Sequence, residues 1–64
     1  MRDSEIIIVR SGPTISQALT QLERELLKYE GEGYERVGTW TVAYNREMGA
    51  YTVRQSVVLN IINN

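Results

Sequence analysis

The chain of 64 residues contains no cysteine and no histidine. Without cysteine it has neither disulfides nor thiolate zinc sites, the devices that most often hold together domains of this size. Without histidine it lacks the commonest metal ligand and the side chain best suited to moving protons near neutral pH. Any metal site would therefore have to be all-oxygen, and the carboxylates are scattered. An excess of one charge is missing too: seven lysines and arginines face eight acids, a formal net charge of −1 with no basic block. Such a balance creates no long-range field toward nucleic acid or an anionic membrane, so neither is expected as a partner. The longest apolar run at the amino end, Ile6-Ile7-Ile8-Val9, is too short for a signal peptide or a transmembrane helix, which makes the cytoplasm the expected compartment.

What is present is the composition of an ordinary globular domain, 42% hydrophobic and 23% charged. A chain this short has room for one core, and it shows no repeat, linker or low-complexity stretch, so residues 1–64 are expected to form a single domain. Glu5 to Arg10 reads as a short strand: a β-branched run followed by Ser11-Gly12-Pro13, expected to be buried on both faces and hence central or covered by a partner. Thr14 and Gln17 have the spacing of a capping box at a helix start. From Ile15 to Tyr29, Ile15, Ala18, Leu19, Leu22, Leu26 and Tyr29 recur at steps of three and four and make one apolar stripe. Gln21, Glu23, Arg24, Glu25 and Lys28 occupy the opposite face, and Gly31 and Gly33 end the helix.

Tyr34 to Tyr44 is rich in Thr, Val, Trp and Tyr and predicts a long second strand, with Gly38 a bulge that changes which face is buried. Trp40, Val42 and Tyr44 then share a face. Asn45 to Gly49 has turn chemistry, so a third strand from Ala50 to about Ile62 returns antiparallel, with Tyr51, Val53, Val57, Leu59 and Ile61 on one side. The expected class is α+β, a β-α-β-β domain with one helix packed on a three-stranded, mainly antiparallel sheet. Strands of about a dozen residues at roughly 3.3 Å each outreach a helix of about fifteen residues at about 1.5 Å each. Val58 and Ile62 also make the end of the third strand apolar on both sides. Pairing with identical chains is the simplest way to cover that surplus.

Candidates for chemistry are few. Ser4, Ser11, Ser16 and Ser56 have no activating base, so no catalytic residue is expected and the chain does not read as an enzyme. Glu30, Glu32 and Glu35 cluster around the glycines and read as a solvated loop in preference to a cation site. Ser11-Gly12-Pro13-Thr14 has neither the lysine of a phosphate loop nor dinucleotide-type glycine spacing, and reads as a helix cap. Trp40, the only tryptophan, comes from the same hairpin as Tyr34, Tyr44 and Tyr51. These rings suit core or interface packing, and also stacking on a planar ligand. Gln55 interrupts an apolar face with an amide that, if buried, needs partners and would suit a ligand or a symmetry mate. Arg54, on the other face, could pair with Glu35 or meet a neighbouring chain.

The first strand leading into Ser11-Gly12-Pro13, the helix length, and a return strand carrying Tyr51-Thr52-Val53 and Val57-Val58-Leu59 give the chain a resemblance to the dodecins. These are small flavin-sequestering proteins that assemble as hollow dodecamers from a helix wrapped by a three-stranded sheet. The likeness covers nearly the whole chain, in topology more than in motif. Dodecins stack flavin on a tryptophan where this chain has Gly33-Tyr34, and hydrogen-bond it with a glutamine where this chain has Thr52. Gly31 to Val37 also resembles the Gly-x-Glu-Gly-Trp-Glu-x-Val hallmark of short bacterial and phage domains of unknown function, one residue shorter and with tyrosine for tryptophan. The sheet surface beyond the helix's reach and the aromatic hairpin lead to the expectation of a non-enzymatic homo-oligomer that binds or sequesters a small planar or anionic ligand, flavin- or nucleotide-like, between subunits. Tyr34, Trp40, Tyr44 and Gln55 are its candidate ligand-binding residues. The alternative expectation is a protein–protein interaction module or regulator, of phage or bacterial type, that works through an exposed strand.

Overall fold

A computed structural model of the chain describes residues 5–59. It contains β1 (Ile6–Gly12), α1 (Ile15–Gly31), β2 (Tyr34–Asn45) and β3 (Ala50–Leu59). The fold is α+β, one helix packed against a three-stranded sheet in the order β1-β3-β2. Both neighbouring pairs are antiparallel, so β1 and β2 run parallel to each other with β3 between them. A helix about 10 Å across spans two strand spacings of about 4.8 Å, so the parallel strands that it links stand two positions apart and leave a slot for the returning strand.

Of the two positions expected for β1, central or covered by a partner, that order removes the central one. β1 is an edge strand: Ile8 lies under the helix and Ile6 packs beside the core, while Ile7 and Val9 remain 61% and 40% exposed on the other side. The central strand is β3, and its alternation is the expected one, with Val53, Gln55 and Val57 buried. Ile61 and Ile62 lie outside the described residues.

The core joins Ile8, Val53 and Val57 of the sheet to Ala18, Leu22 and Leu26 of the helix, with Leu19, Tyr29 and Tyr34 at its margin. Burying each of the larger side chains contributes about 1.5–3 kcal/mol. Ile15, the first residue of the predicted stripe, stays exposed at the helix start. Thr14 caps the helix by accepting from the Gln17 amide at 3.1 Å. Gln17 does not reach back to the Thr14 backbone; its Oε1 accepts from the Thr14 hydroxyl at 3.3 Å. The helix start presses on Gly12, where a Cβ would stand 2.9 Å from the Ala18 backbone nitrogen. Gly31 is the last helical residue, and Gly33, at φ 97°, makes the left-handed exit. In the hairpin turn Asn45 Oδ1 accepts from the Glu47 and Met48 amides at 3.0 and 3.2 Å.

A bulge interrupts β2 as expected, at Gly38 with φ 69°, but it does not change the buried face. Three residues, Gly38, Thr39 and Trp40, lie between the paired Val37 and Thr41, opposite the single Gln55 between Ser56 and Arg54. Two extra residues preserve the strand's period of two, so Tyr34, Arg36, Val42 and Tyr44 all lie on the helix side. The structure extends over 49 × 23 × 14 Å, whereas seventeen helical residues reach only about 26 Å at about 1.5 Å each. One side of the sheet and the hairpin end of the other are left without a helix. Among the described residues no helix is long and apolar enough to cross a membrane.

Candidate functional site

The strand alternation puts the four candidate residues on the helix side of the sheet, but not in one pocket. Tyr34, at the start of β2, is half-buried and makes an edge-to-face contact with Tyr29 of the helix, ring centroids 5.2 Å apart at 85°. Tyr44 is eight ladder positions away, from Leu59 to Tyr51 on the partner strand, or roughly 26 Å. It packs against Tyr51, its cross-strand partner, at a centroid distance of 4.8 Å and a tilt of 47°. Trp40 and Tyr44 flank Val42, and the three are 40%, 53% and 43% exposed. They form a row of apolar and aromatic side chains on β2 beyond the stretch that the helix covers.

Gln55 belongs to a different environment. It is 3% exposed, and its Nε2 donates to the carbonyls of Val37 at 3.0 Å and Gly38 at 3.3 Å, and to that of Ser56 at 3.1 Å. A bulge disrupts the ladder locally, and the interior glutamine supplies a side-chain donor to the carbonyls beside it. Its amide nitrogen is occupied by the fold, which leaves Trp40 and Tyr44 as the candidate residues most open to a ligand.

The charged groups sort by side of the sheet. Arg36, on the helix side, donates through Nε to Glu30 at 2.9 Å and through a second nitrogen to Glu23. These carboxylates, Glu30 foremost, raise the guanidinium pKa further above its ordinary value. Arg10 at the sheet edge meets Glu25 at 2.9 Å, and Lys28 meets the same carboxylate at 3.4 Å. Glu30, Glu32 and Glu35 do not converge: Glu30 is held by Arg36, and Glu35 sits on the opposite side of the sheet, across from Val58. Among the described residues no group of three or more acids is placed to hold a metal ion. The anticipated pairing of Arg54 with Glu35 does not form either. The two are separated by the four positions from Arg54 to Val58, roughly 13 Å along the strand.

Sequence reasoning did not find the Arg36 pairs. The signal was there in part, since Glu23 and Glu30 are seven residues apart and share a helix face, but the strand that faces them depends on the sheet order. Comparison with family models, with curated proteins and with solved structures found no match for this chain.

Proposed function

We propose that the protein is a non-enzymatic homo-oligomer that binds a small planar ligand, flavin- or nucleotide-like, on the Trp40–Val42–Tyr44 row, with a second copy closing the site. The observation that carries this reading is the exposure of that row on the helix side of the sheet. A large apolar surface left open next to a rigid core is characteristic of a binding or association site. Trp40 and Tyr44 offer two rings, separated by one valine, on which an aromatic ligand can stack. Tyr34, already packed on Tyr29, lines the far end of the strand and can contribute only across a subunit boundary.

Native mass measurement combined with titration of Trp40 fluorescence tests it. The expected result is an assembly that retains or takes up a flavin or nucleotide, with quenching of the single tryptophan and loss of binding in Trp40→Ala. A monomer at millimolar concentration that shows no quenching with flavin mononucleotide or adenine nucleotides at millimolar ligand would refute it. A second reading, a protein-interaction module, is favoured by the position of β1 at the sheet edge, where an added strand can hydrogen-bond to it. A stable heterologous partner that protects the β1 amides from exchange would select that reading.

A further inference from the structure

The side of the sheet turned away from the helix carries Ile7 and Val9 of β1, Val37 of β2 and Val58 of β3. Ile7 and Val37 flank Ser56 in one row across the three strands. Nothing in the chain covers this face among the described residues, and Ile7 is one of its most exposed apolar side chains. Two described charged residues of the strands lie on it, Glu35 beside Val58 and Arg54 beside Val9. Neither makes an ion pair among the described residues, in contrast to Arg36, Arg10 and Lys28 on the helix side.

We infer that this face is a two-fold interface with a second copy of the chain, in which Glu35 of each copy meets Arg54 of the other. The inference goes beyond the reading above by adding a second contact between copies, on the side of the sheet opposite the Trp40–Val42–Tyr44 row, and it rests on that reading's claim of self-association. Charge complementarity is the argument for this occupant. A two-fold axis lying across the strands at Ser56 brings the Ser56 row over its own copy, so Val37 and Ile7 each meet themselves. It also brings the Arg54 row over the Val58 row, and Glu35 is the β2 neighbour of Val58. Each Arg54 then stands one strand spacing, about 4.8 Å sideways, from a partner carboxylate across a gap of about 10 Å between sheets, which the two long side chains bridge. The same placement that keeps the two charges apart within one chain makes them self-complementary between two.

The area suffices as well. Two strands of about ten residues and one of about seven, at roughly 3.3 Å per residue and about 4.8 Å between strands, present roughly 400 Å² in projection and more as accessible surface. Two such faces approach the total of about 1,000 Å² that a specific interface needs.

Charge reversal tests the pairing. Glu35→Arg, Arg54→Glu and the double reversal are compared with the unaltered chain by sedimentation velocity over a range of concentrations, with far-UV circular dichroism to verify folding. Both residues are exposed and make no ion pair among the described residues, so all three variants are expected to fold. Each single reversal is expected to raise the dissociation constant of the dimer at least tenfold, and the double reversal to return it to within about threefold of the original. If the original chain self-associates and single reversals change its dissociation constant less than twofold, or the double reversal restores nothing, the interface is overturned while the proposed function stands. A folded monomer at millimolar concentration overturns both.

Discussion

Replacing Gln55 by leucine removes the donor that serves the bulge while keeping nearly the same side-chain volume. The wild-type amide satisfies the Val37 and Gly38 carbonyls from a position that is 3% exposed, so water has little room to take its place. Each bond contributes about 0.5–1.5 kcal/mol net, and an acceptor left buried without a partner costs about 1–3 kcal/mol. Better burial of the leucine side chain offsets part of this, at about 25 cal/mol per Å² of apolar surface. The balance is a loss of about 1–2 kcal/mol, which for a domain of this size lowers Tm by about 4–8 °C per kcal/mol. Gln55→Glu is expected to be worse, since a carboxylate cannot donate to either carbonyl and is itself buried. The assay is thermal and urea unfolding by circular dichroism at one fixed protein concentration, because self-association raises Tm by mass action. Amide exchange of residues 37–41 should accelerate more than that of β1. Were Gln55→Leu as stable as the wild type or more so, the account of the bulge as held by this amide would be refuted.

Gly12→Ala is expected to cost about 1–3 kcal/mol, read as a lowered urea midpoint, because the new methyl group meets helix backbone at 2.9 Å and a close-packed contact relaxes poorly. An unchanged midpoint would show that the helix start is free to lift off β1. Arg36→Met, which keeps the apolar stem and removes the charge, should lower stability by about 1 kcal/mol or less despite two carboxylate partners, since all three side chains are more than a third exposed. The difference from wild type should shrink further in about 1 M salt, and a larger, salt-insensitive loss would mean that the guanidinium packs as part of the core.

Much of the fold was legible in local signals. The apolar residues at helical spacing, the Thr14 cap, the turn at Asn45 and Gly49, and the alternation of Val53, Gln55 and Val57 all depend on residues a few positions apart. Such neighbours restrict backbone torsions whatever the rest of the chain does. The candidate site was legible only in part. Trp40, Val42 and Tyr44 were placed on one face because alternation is local, but whether that face is covered depends on how far the helix reaches.

The sequence by itself therefore determined the kinds of element, their order and most of their inward faces. Tertiary structure decided the rest. It put β3 between β1 and β2, turned Ile7 and Val9 outward, kept β2 on one face through a two-residue bulge, tied Gln55 to that bulge and gave Arg36 its carboxylates. The physical reason is one of range. Periodicity is written by contacts three or four residues long, whereas strand neighbours follow from the width of a helix laid across a sheet, and charges pair only after the strands beneath that helix have taken their order.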